Sequence, residues 1–488
     1  MQSTSSSTTE EYRYGAAIDA GSSGSRIYLY RWPVNNKLAQ HEQLNTSQEF
    51  TKVEREAIYT AEVTPGISDA HGIGIALLEE LVELAKEALP PKVDVSHVPI
   101  YLGATAGMRI IDSSYEADVL SSIRSILHNS GFYFHNDYAR TISGEEEGIY
   151  DWLVANYLKN NGDFPTPTTA YGALDLGGAS TQISFPISSQ TPMGGGDTSV
   201  PLRIDNVDYP LYTQSFLYYG VDQALSRYDT KFATETKSNP CYPSGYTDPN
   251  SDIVGLSNWE QCLESVEQIF SEQNNSNCTG EGKRCLGIGG MHQLPFAPNQ
   301  KFIAMSAFVY TWDYLGLNIG PKTEDLDALN ARAQRVCNLS HQQQISRYEK
   351  HMERWPDKRK TIKPHAQCFN AAFTYHLLSK GYGLPTTNTP IEIYYDIGGT
   401  KVQWALGLML VEANKLGSVF KENAQLDDIF FFGEMSNTYQ YLLAISVAIL
   451  FGLMAVVRMK KKRWSSPSYC EDDHDEEMCL LCSPRKGR

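Results

Sequence analysis

The first 240 residues contain no cysteine, and residues 1–13 contain no apolar run. The polar, Ser/Thr-rich composition of residues 1–13 predicts a disordered lead-in and excludes a signal peptide or signal anchor within that stretch. Basic residues are scarce, since 41 Lys and Arg stand against 57 Asp and Glu and give a formal net charge of −16. No basic stripe occurs outside residues 458–463, so the charge balance argues against a nucleic-acid partner.

The residues that are present have the proportions of a globular protein, 41% hydrophobic and 20% charged. The 488 residues exceed one ordinary hydrophobic core, which predicts two domains of ordinary size. The negative net charge would repel a polyanionic substrate. A divalent cation that accompanies such a substrate would relieve the repulsion.

Two glycine-rich turns share one design, in which a short strand carries an acid and breaks at glycines and hydroxyl residues before a second strand. Glycines let backbone N–H groups approach an anion, hydroxyls can donate to it, and the acid can hold a hydrated divalent cation. Two such hairpins suggest two similar half-domains that face one nucleotide. The copies are strands 15–18 and 26–31 around DAGSSGS (19–25), and strands 173–176 and 182–185 around DLGGAST (175–181).

Four motifs, in order and spacing, resemble the apyrase conserved regions of the ecto-nucleoside triphosphate diphosphohydrolases. They are YGAAIDAGSSGSR (14–26), GATAGMR (103–109), SGEEEGIYDW (143–152) and ALDLGGASTQISF (173–185). A weaker fifth match is WALG (404–407), so the resemblance covers roughly residues 14 to 410. YTQSFLYYG (212–220) is similar to a stretch of the cell-surface members.

The resemblance implies an α/β fold of two actin-like domains, of the RNase H-like, sugar kinase and Hsp70 type, with the active site in the cleft between them. Domain I would comprise residues 14–142 and about 405–435. Domain II would comprise residues 143–404, with a disulfide-stapled insertion at 236–300. The implied reaction is metal-dependent hydrolysis of nucleoside tri- and diphosphates to monophosphates without a phosphoenzyme.

The resemblance also assigns roles to individual residues. It places the general base at Glu147, the acid before the second glycine of the 143–152 motif. Asp19 and Asp175 would hold Ca²⁺ or Mg²⁺ through water, and Phe373 would stack on the nucleobase. The remaining phosphate- or nucleotide-binding residues would be Ser22, Ser23, Gly24, Thr105, Ala106, Gly177, Gly178, Ala179, Ser180 and Gln182, the last two also positioning the attacking water.

Several further elements follow from periodicity. Helical spacing over 70–89 predicts a helix with Ile73, Leu77, Leu81 and Leu84 along one face. Helices are also predicted at 149–158, 221–228, 302–315, 327–336 and 368–380. The YDIGGT stretch (395–400) is interpreted as a hairpin turn that leads to Trp404, with no phosphate contact.

Six of the nine cysteines precede residue 439, and an even number favours disulfides in an oxidising compartment. Local closure favours the pairs Cys241–Cys262, Cys278–Cys285 and Cys337–Cys368. The first-domain disulfide of many relatives is absent, because no cysteine precedes Cys241. Glycosylation acceptors of the form Asn-x-Ser/Thr occur at Asn45, Asn274, Asn277 and Asn338.

An uncharged apolar run at 441–457 is followed by a basic cluster, which predicts a transmembrane helix over 439–457 and a cytoplasmic tail over 458–488. The catalytic domain is then extracellular at the plasma membrane or else Golgi lumenal, and the 212–220 stretch favours the plasma membrane. Its translocation would depend on an anchor upstream of this sequence or on the C-terminal segment. The sequence leaves the oligomeric state open, a homo-oligomer included.

Three alternatives differ in class. An exopolyphosphatase-like hydrolase shares the hairpin of residues 175–181, although the membrane segment and motif order disfavour it. A catalytically silent surface receptor on the same fold would need a lesion elsewhere, since Glu147, Ser180 and both metal acids are present. A nucleotide-switched scaffold of the actin or Hsp70 kind fits poorly with six cysteines predicted to form disulfides.

Overall fold

Two mixed β-sheets with a repeated strand order form the centre of the structure. The computed structural model describes residues 11–34, 50–69, 72–187, 199–271, 288, 296–297, 299–356 and 362–414. All of these residues fall in one of the two compact units of the chain, residues 1–422.

The first sheet is built from residues 12–141 and has helices packed against it. Its elements are β1 (Tyr12–Ala20), β2 (Ser25–Pro33), β3 (Tyr59–Val63), α1 (Ile73–Glu87), β4 (Ile100–Ala104), α2 (Ala106–Arg109), α3 (Ser113–Asn129) and β5 (Ala139–Thr141). The strand order is β3-β2-β1-β4-β5, and β1 pairs antiparallel with β2 and parallel with β4. Ala16, Ala17 and Ile18 of β1 are fully buried, as expected for a strand that is covered on both faces.

The rest of the described chain forms the second sheet, two separate two-stranded sheets and further helices, the last of which also packs on the first sheet. Its elements are α4 (Gly144–Lys159), β6 (Gly172–Leu176), β7 (Ser180–Pro186), β8 (Ser199–Ile204), β9 (Val207–Leu217), α5 (Val221–Glu235), β10 (Ser238–Asn239), β11 (Val254–Gly255), α6 (Trp259–Ser271), β12 (Phe302–Ser306), α7 (Ala307–Leu315), α8 (Leu326–Cys337), α9 (His341–Arg354), α10 (Gln367–His376), β13 (Ile391–Ile393), β14 (Asp396–Ile397), β15 (Thr400–Lys401) and α11 (Trp404–Asn414).

The second sheet repeats the first. Its order is β13-β12-β6-β7-β9-β8, with β6 antiparallel to β7 and parallel to β12. β6 therefore corresponds to β1, β7 to β2, β9 to β3, β12 to β4 and β13 to β5, while β8 is an additional edge strand. This repetition is the architecture that the two hairpins predicted.

α4 is central to the packing, because it is buried on nearly all sides. It begins with a capping box, in which Ser143 Oγ accepts from the Glu146 N–H and Glu146 Oε2 accepts from the Ser143 N–H. Arg140 also pairs with Glu146 at 2.6 Å. Of the three consecutive acids, Glu146 therefore stabilises the start of the helix, and Glu147 is free for another role.

Two disulfides, both predicted from local closure, are present in the second half. Cys241 is bonded to Cys262 of α6, and Cys337 at the end of α8 is bonded to Cys368 of α10. The third predicted pair, Cys278 and Cys285, lies outside the described residues. So do the glycosylation candidates Asn45, Asn274 and Asn277, whereas Asn338 is described and exposed.

Two details of the predicted helices are wrong. In α1, Ile73 and Leu84 are 50% and 37% exposed, so the buried face is rotated from the predicted one. The predicted helix over 302–315 is instead strand β12 followed by α7. The predicted turn at 395–400 is present as the hairpin of β14 and β15.

Within the described residues, no helix combines the length and the apolarity that crossing a bilayer requires. The predicted transmembrane segment at 439–457 and the tail at 458–488 lie outside the described residues.

Candidate active site

The two hairpin tips have the same backbone closure. The Gly21 N–H donates to the Gly24 carbonyl at 3.0 Å, and the Gly177 N–H donates to the Ser180 carbonyl at 2.9 Å. In each hairpin the acid lies two residues before the first of these glycines. Asp19 and Asp175 thus occupy equivalent positions in the two sheets, opposite Arg26 and Gln182 respectively.

The two tips face each other across a cavity. A Cβ atom at Gly178 would lie 3.1 Å from Ser22 Oγ and 2.7 Å from Asp222 Oδ2. The absence of a side chain at Gly178 therefore keeps the space between the tips open. Thr105 and Ala106, where β4 passes into α2, line the same cavity. The Thr105 N–H donates to the Ala20 carbonyl at 3.2 Å.

Glu147 reaches the cavity because α4 lies unusually close to the second sheet. A Cβ atom at Gly148 would lie 2.7 Å from Ser184 Oγ and 2.9 Å from Thr213 Oγ1, so a glycine is needed for this approach. The approach brings the Glu147 side chain beside Gln182 of β7. Glu147 is only 7% exposed.

Two donors hold one oxygen of the Glu147 carboxylate. Arg109 pairs with Oε2, and Gln182 Nε2 donates to the same atom at 3.0 Å. Gln182 Nε2 also lies 2.9 Å from Ser180 Oγ, which connects the base to the second tip. No described residue hydrogen bonds to Oε1, so that oxygen can accept a proton from a water in the cavity.

Burial raises the pKa of Glu147 to about 8, against the lowering effect of Arg109 and with a further increase from Asp175 and Asp19. A carboxylate with a pKa near the working pH is well matched to general-base catalysis. The arrangement can therefore remove a proton from a water molecule next to the tips.

Asp19 and Asp175 are the candidate residues for a divalent cation. Burial raises the pKa of both, while Arg26 lowers that of Asp19 and a Ser306 hydrogen bond lowers that of Asp175. Carboxylate and hydroxyl oxygens are the ligands that Ca²⁺ and Mg²⁺ prefer. Two carboxylates suit a cation that keeps most of its water shell. The described residues contain no group of three or more His, Cys, Asp or Glu side chains that could hold a metal ion.

Most of the predicted site residues line this one cavity. Gln182 does not line the cavity but contacts Glu147 and Ser180, which do. Gly24 faces β3, where a Cβ atom would lie 2.7 Å from the Val63 carbonyl oxygen. The lining residues that were predicted are Asp19, Ser22, Ser23, Thr105, Ala106, Glu147, Asp175, Gly177, Gly178, Ala179 and Ser180.

The predicted role of Phe373 is wrong. Its side chain is fully buried in the hydrophobic core, in contact with Phe369 and Phe270. α10 instead presents Gln367 and Asn370 to the cavity. Phe373 therefore stabilises the core beside the second sheet and does not line the cavity.

Among the charged residues of the site that sequence reasoning missed are the half-buried Arg109 and the buried Asp151. Arg109 closes the second motif and pairs with Glu147, and Asp151 lies in the third motif and lines the cavity. The spacing of Asp151, four residues after Glu147, would place both on one face of a helix. That spacing was the available signal for Asp151, and the position of Arg109 within a motif was the signal for Arg109.

Known proteins are similar to this chain in sequence and in fold. The model of the GDA1/CD39 (nucleoside phosphatase) family matches residues 5–425. Ectonucleoside triphosphate diphosphohydrolase 2 of Mus musculus is 31% identical over 91% of this chain and 90% of its own length. Its Homo sapiens counterpart is 32% identical over 82% of each chain.

Among solved structures, one of nucleoside triphosphate hydrolases from Neospora caninum has a TM-score of 0.57. It is 15% identical and covers 85% of this chain and 93% of its own, which shows a shared fold. The extent of the family match and the identity to the curated relatives show to which family the chain belongs. The chain belongs to the GDA1/CD39 (nucleoside phosphatase) family.

Proposed function

We propose that this protein hydrolyses nucleoside triphosphates and diphosphates to monophosphates. Its family and its curated relatives support a nucleoside phosphate hydrolase. The observation that carries the assignment is the buried Glu147 carboxylate, held by Arg109 and Gln182 beside two facing glycine-rich tips. Such tips bind phosphate oxygens through backbone N–H groups and hydroxyls.

Glu147 acts as the general base. Its Oε1 accepts a proton from water as the water oxygen forms a bond to the terminal phosphorus. The bond from that phosphorus to the bridging oxygen breaks, and the electron pair stays with the departing nucleotide. Ser180 and Gln182 position the water, and no covalent phosphoenzyme forms. In-line displacement of this kind needs positioning and charge stabilisation more than covalent participation by the protein.

The hairpin tips and the paired acids divide the remaining work. Ser22 and Ser23 on one tip, and Gly178 and Ser180 on the other, hold successive phosphates of the substrate. Asp19 and Asp175 would hold a hydrated Ca²⁺ or Mg²⁺, which neutralises phosphate charge when it is bound. A site that grips the terminal phosphate accepts a diphosphate after a triphosphate, so hydrolysis proceeds to the monophosphate.

The compartment is proposed to be extracellular or Golgi lumenal, with membrane anchoring through residues 439–457. The Cys241–Cys262 and Cys337–Cys368 disulfides support an oxidising compartment. Asn338 is an exposed glycosylation acceptor at the end of α8. Detection of a glycan on Asn338 by mass spectrometry of the protein from its native host would test this placement.

The activity is tested by phosphate release from ATP and ADP, using the purified full chain with Ca²⁺ or with EDTA. Cation-dependent release from both nucleotides is expected. Glu147→Gln should lower the rate about a hundredfold or more, as expected for loss of a general base. Glu145→Gln is the matched control, because Glu145 is on the same helix but does not line the cavity.

Other outcomes would replace the proposal. If the folded wild-type protein released phosphate from neither nucleotide, it would be a silent receptor on this fold. Release from inorganic polyphosphate but not from ATP or ADP would identify an exopolyphosphatase-like hydrolase. An equal loss in the Glu147→Gln and Glu145→Gln variants would remove the assignment of the base.

A further inference from the structure

Asp151 is a buried carboxylate in the cavity that the proposed reaction does not use. It lies on α4 four residues after Glu147, so both side chains project from one face of the helix. It is only 2% exposed, yet it lines the cavity together with Asp19, Glu147 and Asp175. Four carboxylates therefore line one cavity.

The other three carboxylates have partners within the protein. Arg26 lies 3.3 Å from Asp19, and Arg109 pairs with Glu147. Asp175 accepts a hydrogen bond from Ser306, which lowers its pKa against the larger effect of burial. These partners therefore offset part of the free-energy cost of moving each carboxylate out of water.

Asp151 differs from them. Its Oδ2 atom is buried and has no hydrogen-bond partner among the described residues. Burial raises its pKa, and Asp175, Glu147 and Asp19 raise the pKa further, with no compensating donor or cation. Burying a polar oxygen without a partner is costly, and such an atom in a native structure needs an explanation.

A cation in the cavity would supply the missing positive charge. Oxygen donors suit Ca²⁺ and Mg²⁺, and a cation that keeps its water can satisfy several carboxylates through those waters. A bare ion is disfavoured, because the described acids are not grouped closely enough to hold one directly. The charge of such a cation would then offset the burial of the Asp151 carboxylate, whose Oδ2 atom itself is out of reach of water.

We propose that Asp151 is a further cation-holding residue, and that with it this site binds a hydrated divalent cation before any nucleotide arrives. The inference rests on the proposed function in taking Asp19 and Asp175 as the other cation-holding residues. Asp151 acts through the cation and its water, so it is a positioning residue for the reaction.

The test is titration of the nucleotide-free full chain with Ca²⁺ by calorimetry and with Mn²⁺ by electron paramagnetic resonance. Wild-type protein should bind one cation in the cavity. Asp151→Asn should weaken that affinity about tenfold or more, the scale found for residues that act around a metal. Glu145→Gln removes the same charge from the same helix outside the cavity and should leave the affinity unchanged.

Thermal unfolding gives a second readout that a merely structural residue would not produce. In EDTA, Asp151→Asn should unfold at a higher temperature than wild type, because it removes a carboxyl group that folding must either neutralise or bury without a partner. Saturating Ca²⁺ should stabilise wild type more than the variant. Asp151→Ser is a second variant for both measurements, should the amide side chain distort α4.

Two results would overturn the inference. One is that the wild-type protein binds no cation without nucleotide, and the other is that both Asp151 variants bind it as tightly as wild type. These titrations contain no nucleotide, so a failure of the proposed hydrolysis would be detected separately by phosphate release. Cation binding without hydrolysis would uphold the inference and remove the proposed function.

Discussion

At the scale of single residues, the base is controlled by two opposing effects. Burial in the cavity raises the pKa of Glu147 to about 8, and the Arg109 guanidinium opposes that increase. Arg109 also lies 3.5 Å from Ser215 Oγ, so its own position is fixed by β9. The fraction of Glu147 that is ionised near neutral pH therefore depends on Arg109.

Arg109→Gln is expected to move the pH dependence of hydrolysis. Without the guanidinium the pKa of Glu147 rises further. The variant therefore loses most activity at pH values below that pKa, where a smaller fraction of the base is ionised. The loss in kcat should be about tenfold or more at pH 7, the size of a one-unit pKa shift, and should shrink as pH rises. Profiles of kcat between pH 6 and about 10, with Ca²⁺ saturating, give the measurement.

Arg140→Gln is the matched control for this prediction. Arg140 pairs with Glu146, which caps α4, but it does not contact Glu147. Its removal should leave the shape of the pH profile unchanged. An Arg109→Gln loss of the same size at every pH would mean that Arg109 only maintains the structure of the site.

At this scale the residues alone predicted the acids of the two turns, and the family resemblance added Glu147 and Gln182. Asp19 and Asp175 were predicted because each is tied to a glycine turn a few positions away. Arg109 and Asp151 were missed because their roles depend on burial and on partners distant in the chain. Phe373 failed for a related reason, since the orientation of α10 decides which of its residues face the cavity.

At the scale of elements, the packing of α11 against α4 positions the residues of the site. Gly407 of α11 packs directly on the backbone of Tyr150 in α4, where a Cβ atom would overlap the Tyr150 carbonyl. Trp404 stacks against the Tyr150 ring, at a centroid separation of 6.1 Å, and lines the cavity beside Asp19. The helix that carries Glu147 is therefore positioned partly by residues more than 250 positions later in the chain.

Gly407→Ala is expected to destabilise the protein, although alanine is the better helix former by about 1 kcal/mol. Overlap with the Tyr150 backbone must push the helices apart, and overpacking of this kind costs about 1–3 kcal/mol. A lower thermal unfolding temperature, measured in EDTA to exclude effects of cation binding, would agree with this. A raised unfolding temperature would show that helix propensity dominates and that the crossing is not tight.

Two element predictions failed for physical reasons. In α1, Gly74 packs against the Gly66 backbone and directs the buried face towards Leu78 and Val82, a contact that hydrophobic periodicity does not register. The apolar run at 302–306 lies between β6 and β13 as a central parallel strand. A strand buried on both faces reads as a continuous apolar run, which periodicity alone cannot separate from a buried helix.

At the scale of the whole molecule, each of the two sheets contributes one hairpin tip to the same cavity. Ser22 is carried by the first sheet and Gly178 by the second, and both line the cavity. Among the described residues, five carboxylates but only three cationic side chains line it, the latter being Arg26, Lys363 and Lys401. The cavity thus reproduces the excess of acids in the composition, and a polyphosphate without a cation would meet net repulsion there.

This arrangement predicts that substrate and cation together stabilise both sheets as one cooperative unit. The Glu147→Gln variant, which should bind ATP without hydrolysing it, is the suitable protein. The measurement uses saturating Ca²⁺ and an ATP concentration about a hundred times the dissociation constant of ATP. Binding should then add about 2.7 kcal/mol to the free energy of unfolding. Differential scanning calorimetry should then record one transition, shifted upward as a whole.

The same measurement in EDTA should show no shift, because ATP alone faces the acids of the cavity without a neutralising cation. A stabilisation by ATP in EDTA equal to that in Ca²⁺ would contradict the role assigned to the carboxylates. Two transitions, of which only one moved with ligand, would mean that the nucleotide contacts one sheet alone. The single shifted transition is expected because the phosphates would lie between Ser22 and Gly178, so neither sheet can unfold without releasing them.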